Sequence, residues 1–134
     1  AVANPAFVLP QILAGMKDRG GHIKIPGFYD DVVALKEEER KEWAALPFNE
    51  KQFKTDFGIP KVTGETGYTT LERTWARPTF EVNGLLSGFT GAGAKTVLPA
   101  VAMAKVSMRL VPRQDPDKIA QLFEAHLRDV TPKP

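Results

Sequence analysis

The residue types able to do chemistry concentrate in residues 77–112, RPTFEVNGLLSGFTGAGAKTVLPAVAMAKVSMRLVP. Arg109 closes the second of two alternating runs, and a guanidinium fork is suited to grip a carboxylate through two parallel bonds. Arg109 also shares its face with Lys105 and Ser107, so an ordinary solvated strand arginine is the competing assignment. Between the runs, GFTGAGAKT at 88–96 has the glycines, Lys95 and Thr96 of a phosphate loop in nearly the right order. The spacing fails, because Ala94 separates Gly93 from Lys95. The context fails too, because the stretch leads into Val97, Leu98, Pro99 and a strand, whereas a phosphate loop needs a helix N-terminus. Composition alone favours a glycine-rich hairpin connection with Gly91 and Gly93 at positive φ.

Metal chemistry finds no support in the residue types. The chain has no Cys and two His, His22 and His126, far apart and without a short-range His/Asp/Glu ligand pattern. Both are expected to be packing or surface residues. Trp43, Trp75, Phe53 and Phe57 have no charged partner suggesting an aromatic cage and are expected to anchor a core or an interface.

The elements that must position these residues fit one domain. The 134 residues are 43% hydrophobic and 25% charged, as in an ordinary globular chain. A net charge of +2 without clustered Lys/Arg argues against nucleic acid and against an anionic membrane. No apolar run approaches the ~20 residues needed to span a bilayer, and no signal pattern opens the chain, so cytoplasmic is the default expectation.

Asn4-Pro5 predicts a helix start, with Val8, Leu9, Ile12, Leu13 and Met16 facing a core and Gly20-Gly21 as its end. Pro10 is expected to kink or strain its second turn. A short extended piece at 22–26 precedes a charged helix over roughly 33–46, stopped by Pro47. Asn49 should cap a further short helix holding Phe53 and Phe57, with Gly58 at its end. A loop at 63–70 leads to a helical turn around 71–75. Phe80 and Val82 alternate with Glu81 and Asn83 in the first strand. In the second, Ala102, Ala104, Val106, Met108 and Leu110 line one face. Asp115-Pro116 opens a last helix with Ile119, Leu122, Phe123, Leu127 and Val130 in one stripe.

This order is the middle of a βαββαβ ferredoxin-like fold. The fold class is α+β, a ferredoxin-like antiparallel sheet with helices on one face, lacking its first and last strands.

Along its whole length the chain closely resembles the lid, or dimerisation, domain of the aminoacylase/carnosinase-type zinc metallopeptidases. That superfamily includes acetylornithine deacetylase and succinyl-diaminopimelate desuccinylase. The resemblance is carried by AVANP at 1–5, IPGFYDDV at 25–32, LERTWARPTFEVNG at 71–84 and RLVPRQDPDKIAQLFEAHL at 109–127, and is strongest with the dipeptidase branch. It implies one lid domain over 1–134 with a helical and loop insertion at about 21–78, excised from a hydrolase whose flanking strands and catalytic domain lie outside this chain. Zinc belongs to the intact enzyme and is not expected in this fragment, which alone should be inactive. The resemblance further implies a homodimer through the lid, a peptide substrate, Arg109 as the substrate-carboxylate reader, and Thr96 reaching across the dimer to the substrate carbonyl or oxyanion. Neither His22 nor His126 matches the family's lid histidine. The rival expectation is a stand-alone ferredoxin-like interaction or small-ligand-binding module without catalysis, pairing through an open sheet edge.

Overall fold

In the computed structural model, which describes residues 2–133, the first element is α1 (Pro5–Gly15). The Asn4 side chain accepts from the Ala6 N–H at 2.9 Å, and Pro5 occupies a position where no donor is needed. The helix is continuous through Pro10 and stops well before the predicted Gly20-Gly21. Asp18 explains the early end. Its Oδ1 accepts from the N–H groups of Gly20 at 2.8 Å and His22 at 3.0 Å, while its own N–H donates to the His22 carbonyl. The chain therefore reverses into a small antiparallel bridge between Lys17 and Ile23. Ala1 and Pro134, the ends of the expected domain, lie outside the described residues.

The charged helix is α2 (Glu37–Ala44), shorter than the predicted 33–46. Glu37, Glu38 and Glu39 fill its first turn, where carboxylates complement the positive end of the helix dipole, so the helix starts at the acidic run rather than at Val33. Asn49 caps α3 (Glu50–Asp56) by accepting from the Gln52 N–H at 3.0 Å, as expected. Next comes α4 (Thr70–Trp75), where Thr69 and Glu72 form a reciprocal capping box. None of the helices in the described residues is long and apolar enough to cross a membrane.

The strands β1 (Thr79–Ser87) and β2 (Ala102–Arg109) form an antiparallel pair, with Phe80 opposite Met108 and Thr79 opposite Arg109. Pairing jumps from Val82–Val106 to Gly84–Lys105, leaving Asn83 as the extra residue of a bulge. Such an insertion bends and twists the strand beyond it. The last helix is α5 (Pro116–Val130), capped by Asp115 accepting from the Asp117 N–H. The architecture is α+β, a two-stranded antiparallel sheet flanked by helices, as in a partial ferredoxin-like lid.

The core gathers Met16, Ile23, Ile25, Phe28, Phe80 and Ile119. Packed against them are Ile12 of α1, Val106 and Met108 of β2, and Leu122, Phe123 and Leu127 of α5, so both long helices serve one sheet face. Ile23, Ile25 and Phe28 were not anticipated as core. The alternation of Ile23-Lys24-Ile25 was the available signal, since a period of two places both isoleucines on one side.

The turn from β2 to α5 contains Arg113 at φ 75°, where a Cβ is unfavourable. Gln114 holds the turn: its Oε1 accepts from the Val111 N–H at 3.0 Å and its buried Nε2 donates to the Phe28 carbonyl at 2.8 Å. Arg113→Gly is therefore expected to stabilise by about 0.5–1 kcal/mol, the relieved strain being partly offset by the freer unfolded chain. Thermal unfolding of the two proteins measures it; an unchanged or lower Tm would contradict the strain argument.

Candidate functional site

Arg109 stands at the end of β2 on the sheet face that the helices leave open, and its N–H donates to Thr79 Oγ1 at 3.4 Å. The side chain is exposed and lines a cleft of about 570 Å³ together with Arg73, Trp75, Arg77, Thr79 and Glu81. Among the described residues no carboxylate lies within ion-pair distance of Arg109. Glu81 is engaged instead by Lys17 at 3.0 Å. A fork with no internal partner, at the mouth of a cleft, can take a carboxylate from outside.

The wall behind it is rigid for reasons the sequence hides. Arg77 is nearly buried and donates to Glu65 through Nε at 2.7 Å and Nη2 at 2.8 Å. Its guanidinium lies 4.3 Å from the Tyr68 ring centre and 5.0 Å from that of Tyr29. His22 Nδ1 meets Glu65 Oε1 at 3.1 Å while its ring stacks on Tyr29 at 4.1 Å. Burial by itself would raise the Glu65 carboxyl, but the bonds from Arg77 and His22 hold it below the usual carboxylate range. The same ion pair keeps Arg77 raised against its own desolvation.

A second ion pair sets the position of α4. Glu72 is almost completely buried and accepts from Arg40 at 2.7 and 3.0 Å and from the Thr69 N–H at 2.7 Å. The Arg40 bonds lead in lowering its carboxyl, with burial opposing. Trp43 and Trp75 meet edge to face at 5.4 Å, joining α2 to the helix that borders the cleft. The Thr69-Thr70-Leu71-Glu72 capping-box pattern was the signal in sequence for Glu72; nothing short-range marked Glu65 as the partner of Arg77.

Thr96 is elsewhere. It lies exposed in the long connection after Ser87, beyond the other end of β2. Gly93 takes a positive φ as predicted, but the other positive φ in this stretch belongs to Gly88, not to Gly91. A Cβ at Gly91 would come within 2.7 Å of the outer edge of the Phe89 ring, an exposed side chain that can swing aside. Lys95 Nζ sits 4.9 Å from the centre of that ring, so the one cation of the loop is directed at an aromatic face rather than at a nest of amides. At the rise of an antiparallel strand the ends of β2 are about 24 Å apart.

His22 is the exposed residue beside a turn that the sequence suggests, with the added contact to Glu65. His126 lines a shallow groove between α1 and the end of α5. Among the described residues no three His, Asp or Glu side chains are grouped so as to hold a metal ion.

Comparison with known proteins places this chain in a family. A model of the peptidase dimerisation domain matches residues 1–133. The human "Beta-Ala-His dipeptidase" is 32% identical over 130 residues, 97% of this chain but 26% of that protein. Among solved structures, the M20 family metallo-carboxypeptidase Sso-CP2 from Sulfolobus solfataricus superposes with a TM-score of 0.83 at 37% identity, covering 96% of this chain and 34% of that one. Human carnosine dipeptidase 1 gives 0.85 at 31% identity, covering 97% and 28% respectively. The chain thus spans 26% of the length of the curated relatives it matches first.

Proposed function

This chain belongs to the peptidase dimerisation domain family, and from that premise we propose that it is the lid and dimerisation domain of a zinc-dependent dipeptidase. In this reading residues 1–134 form one lid domain with a helical and loop insertion at about 21–78. Arg109 binds the free carboxylate of the peptide, and Thr96 of the other subunit donates to the scissile carbonyl or to the oxyanion it becomes. The observation that carries the reading is the unpaired, exposed Arg109 on a cleft of about 570 Å³.

The separation of the two residues supports action in trans. An extended dipeptide is only about 7 Å long while β2 alone spans about 24 Å, so a residue of the connection beyond Ala102 reaches a peptide held at Arg109 more readily from a second copy than from its own chain. Exposed apolar side chains at the hairpin tip support association: Leu85, Leu86, Val97, Leu98 and Val101 are each more than half exposed. Clustered apolar surface of this kind marks contact sites. The described residues do not fit a metal ion; zinc in the intact enzyme is assigned to residues outside this chain, and no step here runs through it.

The test uses the full-length protein that carries this segment, assayed on a dipeptide and on the same dipeptide with its C-terminus amidated. Arg109→Ala is expected to lower kcat/KM for the free acid about ten- to a hundredfold, as for loss of a charge-assisted pair, and to spare the amide. Arg109→Lys should recover only part, because an ammonium lacks the planar fork. Equal slowing of both substrates with the dimer intact would make Arg109 structural.

A further inference from the structure

A second guanidinium in the Arg109 cleft has no role in the reading above. Arg73, near the end of α4, lines the same wall. Its stem is held in place: Nε donates to the Glu65 carbonyl at 2.9 Å, and its Cδ packs over Gly64, where a Cβ would approach to 2.8 Å. That anchoring leaves the terminal amino groups of the fork as donors without a fixed acceptor.

The charges around the cleft separate into two classes. Arg77 is closed by the two bonds it donates to Glu65, and Lys17 by the one it donates to Glu81. Arg73 and Arg109 have no carboxylate within ion-pair distance among the described residues. Two like charges on one concave surface repel each other, and a ligand bearing two carboxylates relieves both at once. A ligand with a single carboxylate satisfies Arg109 and leaves Arg73 to water.

We infer that Arg73 is a specificity-determining residue that reads a second carboxylate, so that the protein favours peptides whose C-terminal residue is Asp or Glu. The inference rests on the proposed role of Arg109 as the reader of the terminal carboxylate. Arg73 restricts which side chain follows into the cleft, while Arg109 recognises the chain end common to all such substrates. Glu81, on the same face, is paired with Lys17 at 3.0 Å.

The experiment compares Ala-Glu with Ala-Gln, which differ by one charge at nearly constant shape, in the full-length protein carrying this segment. Wild type is expected to favour Ala-Glu about tenfold in kcat/KM, mainly through KM, for one additional charge-assisted contact. Arg73→Gln should abolish that preference while leaving Ala-Gln within about twofold, and Arg73→Lys should keep part of it. A wild type indifferent to the charge overturns the inference without needing any variant to fold. Equal slowing of both substrates by Arg73→Gln also overturns it and makes Arg73 a support of α4, with the Arg109 reading intact. If neither dipeptide is hydrolysed, the proposed dipeptidase activity fails instead, and calorimetry with N-acetylglutamate against N-acetylglutamine decides on Arg73: tighter binding of the first, lost in Arg73→Gln, supports it, and equal affinities sink it.

Discussion

Phe28→Ala should lower the stability of this chain by about 3–5 kcal/mol, the cost of removing a large aromatic from a packed interior. Phe28 is 1% exposed and sits among Met16, Ile23, Ile25, Phe80 and Ile119, a small core with few other fully buried apolar groups to compensate. Its ring also meets Tyr29 edge to face at 5.4 Å, and its carbonyl accepts from the buried Gln114 amide. A cavity there would loosen the turn before α5 and the Tyr29 platform together. Phe28→Leu, which keeps most of the volume, should lose much less. Urea unfolding followed by far-ultraviolet circular dichroism provides the measurement. A loss under about 1 kcal/mol for the alanine variant would mean that this core does not carry the fold.

Arg77→Ala is expected to cost about 3 kcal/mol at neutral pH, because it strands the Glu65 carboxylate in a site where both side chains are about one-tenth exposed. The stacking of the guanidinium on Tyr68 and Tyr29 is lost with it. The pH dependence has a definite sign. In the wild type the folded-state Glu65 lies below its ordinary value of 4.5, so its contribution is fully present above that value and fades as pH falls through the lower folded one. Without Arg77, burial becomes the dominant influence and pushes the carboxyl up, so protonation relieves the variant. The stability gap between the two proteins should therefore be widest near neutral pH and shrink on acidification below about pH 5. Chemical denaturation at neutral pH and at about pH 4 measures both gaps; a gap that grows toward acid would show that Glu65 is not the group left unpaired.

The two ion pairs explain why the cleft has a stiff wall in a region with little regular structure. Glu65 to Arg77 ties the loop before α4 to the start of β1, and Arg40 to Glu72 ties α2 to α4. Each removes an otherwise unpaired charge from a partly dry site, so the geometry around Arg73 and Arg109 is set by satisfied polar groups as much as by apolar packing.

What the sequence by itself determined is what neighbouring residues decide among themselves. The caps at Asn4, Asn49 and Asp115 form as expected because each acceptor is two or three residues from its donor, and the faces of β2 follow from its alternation, whereas in β1 Phe80 is buried but Val82, just before the bulge, is exposed. Arg109 and Thr96 were legible as candidates through their motifs. Tertiary structure decided the rest. The early end of α1 depends on Asp18 capturing amides across a turn, and the core position of Phe28 depends on α5 returning over it. The pairing of Glu65 with Arg77 and the presence of Arg73 in the Arg109 cleft depend on α4 being set down beside the first strand. None of these has a sequence period, because contacts between distant segments are selected by the path of the whole chain and by the cost of leaving buried charge and backbone unsatisfied.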